Sequence, residues 1–128
     1  MKSAQLFLLC FSVLSAPLPA LAHHSFPATY NVDVETELQG EVVAFLYRNP
    51  HATIQVMVTE SSGEKVRYLI EWAGAAALEG SGVSRGTLVP GDRVVILGNP
   101  GRNEADHRMR LVSIRRPSDG WTWGQEYN

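Results

Sequence analysis

The chain has 128 residues, with 11 lysines and arginines, 13 aspartates and glutamates, one cysteine and a formal net charge of −2 at pH 7. This length is sufficient for one hydrophobic core. The slightly acidic balance argues against a protein dedicated to binding the phosphate backbone of nucleic acid, which would normally carry a basic stripe. We therefore expect no nucleic-acid partner.

Residues 1–22 have the order of a secretory signal peptide. Residues 1–5 carry one positive charge, residues 6–14 are an apolar run, and Ala20-Leu21-Ala22 forms a small-residue cleavage site. The apolar run is about half the roughly 20 residues that a membrane span needs. We expect cleavage after Ala22 and a mature chain that is periplasmic or secreted and does not insert into a membrane. Cleavage would remove Cys10, so stability must come from packing without disulfides.

The mature chain begins with a predicted arm, residues 23–36, followed by alternating apolar residues typical of strands. The first predicted strand, residues 37–47, changes phase near Val42 and Val43, which indicates a bulge. The second and third strands, residues 52–59 and 65–72, are joined by a hairpin turn.

A short alanine-rich segment, residues 74–79, then predicts a helix that ends at Gly80. Two further strands follow, at residues 93–97 and 108–114, separated by a loop. This order predicts an all-β domain over residues 37–116, a five-stranded OB-like Greek-key barrel with one short helix between strands 3 and 4. The alternative that this pattern leaves open is a β-sandwich.

The remaining residues, 117–128, form a tail that contains Trp121, Trp123 and Tyr127. We expect this aromatic tail to cover one end of the barrel. The alternative is a segment that binds a protein partner.

The four histidines of the chain suggest a metal site. Cleavage after Ala22 would make His23 the first residue, whose free amine and imidazole together chelate one metal ion, and an all-nitrogen set suits Cu(II). His51 opens the second strand and His107 precedes the fifth, on the two loops that commonly form the ligand-binding rim of an OB barrel. The arm could bring His23 and His24 to that rim.

These observations predict copper binding by His23, His24, His51 and His107 in a protein that is not an enzyme. Each histidine also has an ordinary structural interpretation, as a solvated chain start, a turn cap or a surface residue. The spacings are less specific than those of a zinc finger.

The outward-facing side chains of the second and third strands offer a different interpretation. In it the domain binds a small molecule, a saccharide or a protein partner without metal, through Gln55, Arg67, Leu69 and Glu71. Glu71 would suit an acid catalyst if burial raised its pKa. We expect it instead to pair with an arginine such as Arg67 or Arg48.

Several segments resemble a family of small exported bacterial proteins, classed as a domain of unknown function. They are His23-His24-Ser25-Phe26, Gly40-Glu41-Val42-Val43, Asn49-Pro50-His51 and Leu88-Val89-Pro90-Gly91-Asp92. The likeness covers nearly the whole mature chain. His23, His24 and His51 match positions that the family typically fills with histidine, whereas His107 does not. The resemblance therefore implies that a metal site would rest on the first three, with His107 optional.

Overall fold

The computed structural model describes residues 25–124, and these form six strands, two short helices and a 3-10 turn. The predicted signal peptide, residues 1–22, lies outside this range, as do His23, His24 and residues 125–128. The elements in chain order are α1 (Phe26–Thr29), β1 (Thr36–Leu46), β2 (Thr53–Thr59), β3 (Lys65–Glu71), α2 (Ala75–Gly80), β4 (Arg93–Pro100), the 3-10 turn (Glu104–Asp106), β5 (Arg108–Arg116) and β6 (Trp121–Trp123).

The first five strands close into a barrel. The sheet order is β3-β2-β1-β4-β5-β6, and a parallel pairing of residues 69–71 of β3 with residues 108–110 of β5 completes the circuit. This connectivity confirms the predicted five-stranded OB-like barrel and excludes the open sandwich. The short helix between the third and fourth strands is also confirmed, as α2.

The long strand β1 joins the two halves of the barrel. Residues 36–41 pair with β4 and residues 41–46 pair with β2, with an irregularity between Val42 and Ala44. This confirms the predicted bulge, which lets one strand bend between two neighbours. Gly40 lies at the crossing, where a Cβ atom would be only 2.5 Å from the carbonyl oxygen of Met57. Close approach of two backbones therefore explains glycine at this position.

The barrel interior holds one apolar cluster to which every barrel strand contributes. Its most buried members include Val42, Ile54, Val56, Ile70, Ile96, Met109 and Ile114. Helix α2 adds Leu78, which is 1% exposed. The alternation of these residues with outward-facing ones is the pattern that the sequence predicts.

The predicted ends of the last two barrel strands are too early. β4 continues through Gly98, Asn99 and Pro100, and β5 continues to Arg116. Residues 98–100 look like turn formers, yet they pair with residues 109–111 of β5. Tertiary pairing has overridden the local turn propensity, so the loop between these strands is shorter than expected.

The described part of the N-terminal arm lies against the β4–β5 connection. Tyr30 is 1% exposed and bridges to Gly101, while the backbone N–H of Asn31 donates to the carbonyl of Pro100. The backbone N–H of Arg102 donates in turn to Thr29. The arm is therefore held against the barrel from residue 29 onward.

The described part of the aromatic tail, residues 117–124, contains the strand β6, which pairs antiparallel with the end of β5. The Trp123 ring lies edge-on to the Trp72 ring, with 4.9 Å between centroids. Its Nε1 donates to the Ser81 hydroxyl. No helix within residues 25–124 has the length and apolar character required to cross a bilayer.

Candidate functional site

The Glu71 carboxylate is the centre of a polar cluster on the outside of the barrel. Ile70 before it is buried in the core, so the alternation of β3 directs Glu71 outward. The Tyr30 hydroxyl donates to Oε2, and Arg108 Nη2 lies 3.5 Å from the same oxygen. His51 Nδ1 lies 3.1 Å from Oε1, and the Glu71 side chain is only 16% exposed. One carboxylate thus joins three parts of the chain.

Strand pairing explains why these groups meet. The parallel pairing of β3 with β5 sets Leu69 opposite Arg108 and Glu71 opposite Arg110. The antiparallel pairing of β2 with β3 sets Thr53 opposite Glu71, so His51 lies just beyond the end of that ladder. The docked arm supplies the fourth group, Tyr30.

The orientation of His51 leaves one ring nitrogen available. Its Nδ1 is buried beside Glu71, at ion-pair distance but without the alignment of a hydrogen bond, while 42% of the side chain is exposed. The accessible edge of the ring is therefore the one that carries Nε2. The Phe26 ring of α1 stands edge-on to this imidazole, with 5.7 Å between centroids.

Burial raises the pKa of the Tyr30 hydroxyl well above its ordinary value, and the hydrogen bond to Glu71 adds to the increase. The hydroxyl therefore remains a neutral donor to the carboxylate at physiological pH. The Arg108 guanidinium lies 5.9 Å from the centre of the Tyr30 ring, which completes the packing of this group.

A pocket of about 270 Å³ opens beside this cluster, at the seam where β3 pairs with β5 and closes the barrel. We call it the seam pocket. Its walls are Phe26, His51, Glu71, Trp72, Ala73, Arg110, Leu111 and Trp123. It combines three aromatic rings with three ionisable side chains, the composition typical of a small-ligand site.

His107 lies in a different place from His51. It caps the 3-10 turn in a left-handed conformation, with φ of 45°, and its ring stands 5.3 Å from the Tyr68 ring. It lines a separate pocket of about 230 Å³ together with Glu60 and Glu104. Within residues 25–124, no group of three or more histidine, cysteine, aspartate or glutamate side chains is arranged to hold a metal ion. His23 and His24 lie outside those residues, so the four-histidine site stays a prediction.

The other predicted ligand face is divided by the fold. Arg67 Nη1 donates to the Gln55 amide oxygen over 3.3 Å, and Leu69 lies opposite Gln55 in the ladder. Glu71 instead belongs to the Tyr30 cluster. The expectation that Glu71 pairs with an arginine is confirmed, but the partner is Arg108 rather than Arg67 or Arg48. The parallel β3–β5 pairing that brings Arg108 close is a long-range contact with no local sequence signal.

Another groove, of about 510 Å³, lies on the outer surface of the sheet formed by β3, β2, β1 and β4. Its ionisable pair, Glu41 and Arg93, is 3.9 Å apart and largely exposed. Solvent screening makes such a pair weak. We therefore place the candidate site at the Glu71 cluster, where buried and titratable groups converge.

Sequence reasoning missed Tyr30, Arg108 and the pocket residues Phe26 and Arg110. The one available signal was the presence of two aromatic residues, Phe26 and Tyr30, in the arm, since large rings favour burial against another part of the protein. The two arginines alternate with the core residues Met109 and Leu111 along β5. This alternation predicts that both arginine side chains point outward. It does not predict that β3 is the neighbouring strand.

These features define a small OB-like barrel domain in which Glu71 forms a cluster with His51, Tyr30 and Arg108 at the seam. The chain belongs to the family of unknown function DUF6152, whose model matches residues 10–110. This agrees with the resemblance noted from the sequence. A comparison with curated proteins gives no match.

Proposed function

We propose that this protein is a periplasmic, non-enzymatic copper-binding or carrier protein whose site is formed by His23 and His51, with His24 as a further ligand. The observation that carries this proposal is the position of Glu71 Oε1, 3.1 Å from His51 Nδ1. A metal-ligating histidine almost always directs its second ring nitrogen to a carboxylate or a carbonyl, which fixes the tautomer and increases ligand basicity. Glu71 would serve in this way, leaving Nε2 of His51 for the metal.

The arm provides a second argument. Phe26 contacts His51 through its ring, and His24 precedes it by only two residues. Two residues span at most about 7 Å in an extended chain. The length of chain between His24 and Phe26 therefore permits a site shared with His51, in support of the proposal.

The donor set favours copper among the divalent ions. The amine and imidazole of a terminal His23 form a chelate, and one or two further imidazoles give the all-nitrogen tetragonal arrangement that suits Cu(II). Binding requires neutral imidazoles and a neutral amine, so affinity should fall as the pH is lowered. His107 lines a different pocket and is left out of the proposed ligand set.

A Cu(II) titration against a chromogenic chelator tests this proposal. His51→Gln retains a side chain that can hydrogen-bond to Glu71 but lacks the imidazole, so it should weaken copper binding at least tenfold. The matched control is His107→Gln, which removes an imidazole from the other pocket and should leave the affinity within about twofold. Equal affinities for both variants and the unmodified protein would contradict the proposal.

A further inference from the structure

The seam pocket contains an arginine, Arg110, that belongs to no ion pair within the described chain. This guanidinium lies 4.4 Å from the centre of the Phe26 ring, and that stacking is its one interaction within residues 25–124. It is paired with no carboxylate there, although it stands opposite Glu71 in the β3–β5 ladder. A guanidinium stacked on an aromatic face keeps its N–H edge free to bind a planar anion through two parallel hydrogen bonds.

The charges around Arg110 favour an anion. Glu71 is the one carboxylate among the described residues that line the pocket, and it already accepts a hydrogen bond from the Tyr30 hydroxyl and forms an ion pair with Arg108. Arg108 balances the charge of Glu71, so Arg110 remains as an excess positive charge. An incoming carboxylate would thus meet a cation that has no internal partner to displace.

A second, independent feature is an unsatisfied donor on Trp72, a residue that lines the same pocket. Trp72 is 4% exposed, and its indole Nε1–H has no acceptor within the described chain. A buried donor without a partner is unfavourable unless a bound molecule or water accepts its hydrogen. The apolar walls, Leu111 and the rings of Trp72 and Trp123, suit the body of such a molecule better than water alone.

We propose that the seam pocket binds a small organic carboxylate with an aromatic body. Arg110 holds the carboxylate, and the ring packs against Trp72, Trp123 and Leu111. The volume of about 270 Å³ limits the ligand to a single ring with a short acidic side chain. This binding requires no metal, so the proposal can be tested independently of the copper proposal.

The test uses chelator-treated, metal-free protein and two probes of equal size, phenylacetate and the uncharged phenylacetamide, in which an NH2 group replaces one carboxylate oxygen. Nuclear magnetic resonance of the tryptophan indole N–H signals follows the titration, and a Trp72→Phe variant assigns the Trp72 signal. We expect phenylacetate to shift that signal with a dissociation constant on the order of 1 mM, as for a ligand of about ten heavy atoms. Phenylacetamide should bind about tenfold more weakly.

Two arginine variants make the result specific. Arg110→Gln should remove the preference for phenylacetate over phenylacetamide. Arg93→Gln makes the same change in net charge on the outer groove and should preserve the preference. Residual phenylacetamide binding by Arg110→Gln reports that its pocket is intact. Absence of a Trp72 shift with phenylacetate, equal binding of both probes, or a preference that survives Arg110→Gln would overturn the proposal.

Discussion

The Tyr30 hydroxyl donates a hydrogen bond to the Glu71 carboxylate, joining the N-terminal arm to the last residue of β3 across 41 positions of the sequence. Tyr30 is 1% exposed, and Glu71 also lies at ion-pair distance from His51 Nδ1 and Arg108 Nη2. The same bond therefore anchors the arm and helps to hold the carboxylate beside His51.

Removing this hydroxyl should destabilise the fold. Tyr30→Phe leaves the ring in place but deprives Glu71 of its neutral donor, and we expect a loss of about 1–3 kcal/mol in the free energy of unfolding. The measurement is urea denaturation followed by tryptophan fluorescence. Tyr68→Phe is the control, because the Tyr68 hydroxyl has no hydrogen-bond partner within residues 25–124, and it should change stability by less than about 0.5 kcal/mol. Equal losses of unfolding free energy in the two variants would show that the Tyr30 hydroxyl has no special stabilising role.

The same hydroxyl predicts an alkaline pH dependence. The folded-state pKa of Tyr30 is raised above the ordinary tyrosine value of 10.0, by burial first and by Glu71 second. A raised pKa means that the stabilisation is complete below the unfolded pKa and is lost as the pH rises through it towards the folded value. The stability difference between the unmodified protein and Tyr30→Phe should therefore be constant up to about pH 9 and shrink above about pH 10.

Denaturation at several alkaline pH values measures this difference. Tyr68, whose pKa is also raised by burial, is present in both proteins and so cancels in the comparison. A difference that does not change between about pH 8 and pH 11 would show that Tyr30 ionises as it does in the unfolded chain.

Glu71→Gln should reduce copper affinity without removing a proposed ligand. The amide can still accept from Tyr30, but it no longer places a negative charge 3.1 Å from His51 Nδ1. Loss of such an outer partner typically lowers metal affinity about 10–100-fold. Chelator competition measures the change, and Glu64→Gln in the exposed β2–β3 turn provides the same change of charge far from His51. An unchanged copper affinity in Glu71→Gln would show that Glu71 does not contribute to the proposed copper site.

The barrel geometry makes its own prediction at Gly40. A methyl group there would clash with the Met57 carbonyl oxygen at 2.5 Å, and backbone cannot move away as a flexible side chain can. We expect Gly40→Ala to lower the unfolding free energy by about 1–3 kcal/mol. Gly86→Ala, where no atom lies within 4 Å of the added carbon, should be close to neutral in the same thermal or urea measurement.

Local pattern was sufficient to predict most of the fold. The alternation of residues such as Ile54 and Val56 marks the strands, and the phase change near Val42 marks the bulge. The extension of β4 through residues 98–100 was not predictable, because glycine, asparagine and proline there have the local character of a turn and are held as strand by β5.

The site was only partly predictable for the same reason. His51 and Glu71 stood out by residue type, but their partners come from distant segments. Arg108 reaches Glu71 through the parallel closure of the barrel, and Tyr30 reaches it through docking of the arm. A single sequence carries no signal for either pairing, since each depends on which strands become neighbours.

The most direct test of the copper proposal compares two copies of the chain by Cu(II) titration and electron paramagnetic resonance. One copy begins at His23, and the other carries a single extra residue before it, which removes the chelating amine from His23 and leaves every residue of the barrel unchanged. We predict one tight stoichiometric site with nitrogen couplings in the first copy and sharply weaker binding in the second. Equally weak binding by both copies would contradict the proposed terminal copper site.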